Sequence, residues 1–264
     1  MSNDLIYVYC ISDDHVELLP DLILLGLYSI AFGNFQVIVR NVHENEFSEE
    51  NLKKNLSDLP WLEINAREHI RVLSLIMKKH SLIPFKFGTI FHSKETVKNF
   101  IDDYSDSLIE NFNRLRDQVE WSVKIYCNRK LLCEQIDELS NDAADLEKQI
   151  MASSPGKAFL LKRKKTDLIE NEMDRICANF GQDSYDQLKN LSESAGLNNL
   201  LPKEFTGRED TMILNASFLV KNNNVSEIKR IVESFRNKNA KSGFSVEASG
   251  PWPPFSFISI KEKM

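Results

Sequence analysis

A chain of 264 residues with 42% hydrophobic and 27% charged side chains is long enough for two cores and too apolar to be disordered throughout. Its 33 basic residues are outnumbered by 39 acidic ones, a net charge of −6, so it lacks the basic excess of a nucleic-acid binder. Four cysteines without a C-x-x-C pair, no basic-then-apolar leader and an apolar run confined to residues 22–32 point to a reducing cytoplasm, and away from a zinc finger, a secretory signal or a membrane span.

Ile6-Tyr7-Val8-Tyr9-Cys10-Ile11 is continuous and β-rich, which predicts a first strand buried on both faces. Beyond the Pro20-Asp21 break, a second apolar segment reaches Gly33-Asn34. Phe35, Val37 and Val39 then alternate with their neighbours, the pattern of a hairpin. Leu62, Ala66, His69, Leu73 and Ile76 recur at four-three spacing and predict a helix over 61–79. Residues 84–91 return to period two, with Phe85, Phe87 and Phe91 expected on one face. Ser93 is placed to cap a helix reaching about Gln118. Residues 1–118 therefore read as one α/β domain.

The second domain is expected over 119–264. Trp121, Val123 and Ile125 mark a half-buried strand. From Leu132, apolar residues fall at Ile136, Leu139, Ala143, Leu146 and Ile150, a four-three heptad broken by Ser153-Ser154-Pro155-Gly156. A second helical run continues to about Phe180. Residues 129–180 thus predict a long antiparallel helical hairpin. The basic run Lys162-Arg163-Lys164-Lys165 lies within it as a solvated face. Residues 196–207 read as loop. Met212, Leu214, Ala216, Phe218 and Val220 form a strand, Val225, Ile228, Val232 and Phe235 the buried stripe of a helix, and Phe244, Val246 and Ala248 another strand. The predicted fold class is α/β (α+β): two domains built as ferredoxin-like sandwich units, the hairpin being inserted in the second.

Catalytic patterns fail one by one. Ser153-Ser154-Pro155-Gly156-Lys157-Ala158 lacks the first glycine and the metal-binding hydroxyl of a phosphate loop. His43-Glu44-Asn45-Glu46-Phe47 has no second histidine for zinc. Ser226-Glu227-Ile228-Lys229 starts an amphipathic helix. His69 beside Glu68, with Lys86, is the candidate set for an alternative reading, an enzyme with an interdomain cleft. No nucleophile accompanies them, and His69 sits on an apolar stripe where a core histidine is the simpler account. No catalytic residue, cofactor site or metal site is assigned.

The segment Ser249-Gly250-Pro251-Trp252-Pro253-Pro254-Phe255-Ser256-Phe257 is the most unusual. Its prolines deny the chain ladder hydrogen bonds, so it is either a rigid crossover whose Trp252 covers a core edge or an exposed lip contacting a partner through Trp252, Pro253 and Pro254. The block resembles the C-terminal signature of the gas vesicle protein F/L family. Tyr7-Val8-Tyr9-Cys10-Ile11, Ala66-Arg67-Glu68-His69, Pro84-Phe85-Lys86-Phe87-Gly88-Thr89-Ile90-Phe91, Glu120-Trp121, Gly156-Lys157-Ala158-Phe159-Leu160 and Leu214-Asn215-Ala216-Ser217-Phe218 resemble further family blocks in order. Cys10 stands where the family has glycine, and Lys86 where it has arginine. The resemblance implies a non-catalytic accessory or minor gas-vesicle protein in the cytoplasm or on the vesicle shell. Its implied partners are the major shell protein (gas vesicle protein A) and other accessory gas vesicle proteins. The implied role limits shell-protein aggregation during nucleation.

Overall fold

The computed structural model describes residues 4–136 and 141–261. The chain divides into two compact units. One runs to Glu120 and resumes at Pro251; the other is Trp121–Gly250. The residues after Gly250, expected with the second domain, cluster with the first.

In the first unit β1 (Asp4–Ser12) is followed by α1 (Pro20–Leu24), β2 (Leu27–Phe32), β3 (Phe35–His43), α2 (Glu44–Phe47), α3 (Glu49–Asn55) and α4 (Leu59–Ile76). Then come β4 (Ile83–Pro84), β5 (Ile90–Phe91) and α5 (Lys94–Leu115). The sheet order β2-β3-β1-β4, with β5 also on β1, is the 4-1-3-2 order of a ferredoxin-like unit. The β2–β3 hairpin turns on Gly33, whose φ of +58° costs a glycine little, and pairs Phe32 with Phe35.

β1 is buried on both faces, as its unbroken apolar run requires. Leu5, Tyr7 and Tyr9 meet Val72, Leu73 and Ile76 of α4. Ile6, Val8 and Ile11 meet Val97, Ile101, Leu108 and Phe112 of α5. A bulge shifts the register between Val8, opposite Val39, and Cys10, opposite Ile38. The extra residue lets Tyr9 and Cys10 pack into the same cluster, breaking strict alternation. Ser93 caps α5 in a reciprocal box with Thr96, at 3.3 and 3.1 Å.

Residues 84–91 do not form one strand. Thr89 N–H donates to the Lys86 carbonyl (3.2 Å) and Gly88 takes φ +80°, so a tight turn separates β4 from β5. Phe85 and Phe91 consequently pack towards α5, while Phe87 goes to the opposite core beside Trp61. The expectation of three phenylalanines on one face fails because the turn inverts the alternation.

The second unit contains β6 (Gln118–Cys127), α6 (Arg129–Glu134), α7 (Asn141–Met151), α8 (Pro155–Lys189), β7 (Ser194–Leu197), α9 (Lys203–Thr206), β8 (Thr211–Lys221), α10 (Val225–Asn239) and β9 (Phe244–Trp252). Its order β7-β8-β6-β9 is again 4-1-3-2, with α7 and α8 as the enlarged first crossover. The heptad is interrupted where α6 ends at Gln135, and Leu139 lies outside the described residues. α8 continues to Lys189, beyond the expected end near Phe180. Gly181 lies within the helix: a β-carbon there would stand 3.2 Å from the Ile213 carbonyl oxygen, so glycine lets the helix press onto β8. β7, expected as loop, pairs antiparallel with β8 from Ser194 opposite Leu219 to Leu197 opposite Ala216. Ser-Ala-Gly-Leu carries no β-branched residue, and pairing alone makes it a strand.

Candidate functional site

The histidine of the enzyme reading lies in the first core. His69 is 2% exposed. Its Nε2 is 3.1 Å from the Phe85 carbonyl oxygen and its Nδ1 2.8 Å from the Tyr7 hydroxyl. A carbonyl only accepts, so Nε2 carries the proton and Nδ1 accepts from Tyr7, whose oxygen accepts in turn from Gly88 N–H at 3.2 Å. The ring stacks on Tyr9 with centroids 5.3 Å apart. Burial holds its pKa down to about 4 and drives both tyrosine hydroxyls above their usual range. Both nitrogens are engaged in holding the 84–91 turn onto β1, so no lone pair is left for a substrate proton. Glu68 is paired with Arg40 at 2.6 Å and accepts weakly from Tyr9. Lys86 is exposed on the turn and does not join them. Among the described residues no three His, Cys, Asp or Glu side chains gather to hold a metal ion.

The C-terminal block is a strap. Trp252 is half-buried at the end of β9, and Pro253 and Pro254 are buried. Phe255 joins the core that holds Tyr7 and Tyr9. Glu120 accepts both the Ser256 N–H (2.8 Å) and its hydroxyl (2.6 Å). Further on, Arg114 donates to the Phe257 carbonyl. Asn111 accepts from Ser259 N–H at 3.1 Å and donates to its carbonyl at 2.8 Å. Ser107 donates to the same carbonyl and accepts from Lys261 N–H. Side chains spaced along α5 thus replace the ladder that proline-rich chain cannot make.

An apolar surface of the second unit is open. β7 is an edge strand, and the chain after it stays pinned to β8: Asn198 N–H reaches the Asn215 carbonyl and Asn215 reaches the Asn199 carbonyl, both at 2.8 Å. This pinning turns apolar side chains outward. Leu197 is 65% exposed, Leu200 55% and Phe205 80%. Beside them a groove of about 230 Å³ is lined by Gly181 and Tyr185 of α8, Leu197, Leu200 and Ile213. Near the start of α8, Phe159 and Leu160 are exposed too, as is Met151 of α7. Reading residues 196–207 as loop hid this surface. The signal was present as Leu197, Leu200, Leu201 and Phe205 within a short stretch that no periodic pattern would bury.

The family model described as gas vesicle synthesis protein GvpL/GvpF matches residues 5–259. The chain belongs to this family. Gas vesicle protein L of a Streptomyces species is 25% identical over 276 residues, spanning 100% of this chain and 96% of that protein. The crystal structure of GvpF from Anabaena sp. PCC7120 superposes with a TM-score of 0.70 at 22% identity, covering 98% of this chain and 100% of that one. GvpF from Microcystis aeruginosa gives 0.64 at 20% identity, covering 97% and 99%. Those two likenesses concern the fold and agree with the mixed antiparallel architecture found here. Within the family the motif blocks acquire a physical meaning: Tyr7, Tyr9, Phe87 and Phe255 share one core, and His69 ties it to the Phe85 carbonyl. No helix among the described residues is long and apolar enough to cross a membrane.

Proposed function

We propose that this member of the gas vesicle synthesis family is a non-catalytic assembly factor. In this reading it binds the major shell protein, gas vesicle protein A, and other accessory gas vesicle proteins in the cytoplasm and at the growing shell, and limits shell-protein aggregation during nucleation. The supporting observation is the free β7 edge with Leu197, Leu200 and Phe205 turned outward beside an apolar groove. A shell that encloses gas needs subunits with an apolar face, and such subunits aggregate unless that face is covered. An edge strand supplies main-chain donors and acceptors, and the leucines and Phe205 supply apolar contact for an extended apolar segment of the shell protein. Trp252, its backbone set by Pro253 and Pro254, is proposed as a second contact.

Co-expression with the shell protein tests the reading. The native chain is expected to raise the soluble fraction of shell protein and to co-purify with it. Leu200→Asp with Phe205→Asp is expected to abolish both effects while leaving the melting temperature within a few degrees, because both side chains already face water. A shell protein equally insoluble with and without the native chain, and no complex, would overturn it. Trp252→Ala is expected to weaken capture of an accessory partner without loss of the cooperative melt.

A further inference from the structure

α10 packs into the second unit through Ile228, Val232 and Phe235. Beside that buried stripe, Ser226, Lys229, Glu233 and Arg236 follow at three-four-three spacing and form a second row along the same helix. With Trp121 of β6 and Ala248 of β9 they line an open groove of about 540 Å³. The groove is basic on an acidic chain: Lys229, Arg230 and Arg236 stand against two carboxylates, Glu233 in the lining and Glu227 beside it, whereas the molecule carries −6.

Two donors in this groove lack the acceptor their chemistry asks for. The Lys229 ammonium lies 5.4 Å from the centroid of the Trp121 ring and has no carboxylate in ion-pair reach among the described residues. Trp121 is 5% exposed, and its indole N–H is shut off from solvent with no hydrogen-bond acceptor. Arg236 is held in place by the Val246 carbonyl (2.9 Å, from Nε) and by Glu233 (3.2 Å, from Nη1), which leaves Nη2 open. Arg230 is taken up by Glu227 at 2.9 and 2.5 Å.

We propose that this groove binds an acidic segment of a partner protein, one carboxylate engaging Lys229 and a second reaching Arg236. The spacing carries the choice of ligand. Lys229 and Arg236 are seven residues apart on a helix, about 10 Å, which matches roughly three residues of extended chain. Cations strung along a line suit a linear array of carboxylates, whereas a single phosphate is held by donors converging on one point. Trp121, Val232 and Ala248 give the aliphatic parts of such a segment an apolar floor. The proposal rests on the reading of this chain as a protein-binding factor. It uses a surface separate from Leu200 and Phe205, so the two fail independently.

The test is fluorescence anisotropy of fluorescein-labelled hexaglutamate with the full chain at low salt, with hexaglutamine and inorganic tripolyphosphate as competitors. Saturable binding that weakens with salt is expected. Lys229→Glu with Arg236→Glu is expected to weaken it at least about tenfold, the loss of two charge-assisted contacts. Lys229→Glu alone, at a side chain with no ion pair among the described residues, keeps the test decisive if the Arg236 change loosens β9. No saturable binding, undiminished binding by Lys229→Glu, equal competition by hexaglutamine, or displacement by tripolyphosphate at lower concentration than by unlabelled hexaglutamate would each overturn the proposal.

Discussion

His69 is kept neutral by the same packing that gives it a purpose. Its ordinary pKa near 6.5 falls to about 4 in the folded protein because burial penalises the charged ring. Between those values the unfolded chain binds a proton that the folded one does not, so stability falls as pH drops from about 6.5 to about 4 and is fully present above 6.5. A shift of this size is worth about 3 kcal/mol at the bottom of the window. Urea midpoints across pH 4–7 should show that slope, and His69→Gln should flatten it while lowering stability throughout, since Tyr7 and the Phe85 carbonyl lose ideal partners. An unchanged slope in the variant would place the titration elsewhere. The sequence placed His69 correctly as a core residue, because a lone polar side chain on a 3.6-period apolar stripe must be buried. It did not reveal the partners, which lie 62 and 16 residues away. Glu120 carries a comparable burden at the strap. Glu120→Ala strips two acceptors from Ser256 and should cost about 2 kcal/mol, with faster proteolysis in residues 253–261 than in the rest of the first unit.

At the scale of elements, legibility followed periodicity. β1, β3, α4, α5, β6 and β8 have strong two- or 3.6-residue patterns, and they fold where those patterns place them. β7 and the 84–91 turn do not, because their conformation is imposed by what they pair with. The open groove surface was missed for the same reason. The helical run expected to end near Phe180 continues through Gly181, which is a point of contact with β8. Gly243 holds the start of β9 at φ +80°, and a β-carbon there would lie 2.8 Å from the Asn128 carbonyl oxygen. Gly243→Ala should therefore cost about 2–3 kcal/mol, read as a lowered urea midpoint, since both the backbone angle and the space oppose it. Gly33→Ala meets no atom within 4 Å and pays only the strain of a positive φ, about 1 kcal/mol.

At the scale of the whole molecule, the same strand order occurs twice, and the second copy lies between the parts of the first. The second unit carries both the outward leucines with Phe205 and the basic groove, while the first, closed by the strap, exposes Leu24, Leu59 and Ile64. Residues 107–114 lack their strap partners until residues 255–261 arrive, after the whole of the second unit has been made. At ~5–20 residues per second on a ribosome, residues 121–250 take roughly 7 to 26 seconds to make, and the stretch from Gly250 to Lys261 a further ~0.5 to 2 seconds. The inner unit is thus fully made before the strap is. Folding during translation is therefore nested, the inserted ferredoxin-like unit closing before the one that was begun first.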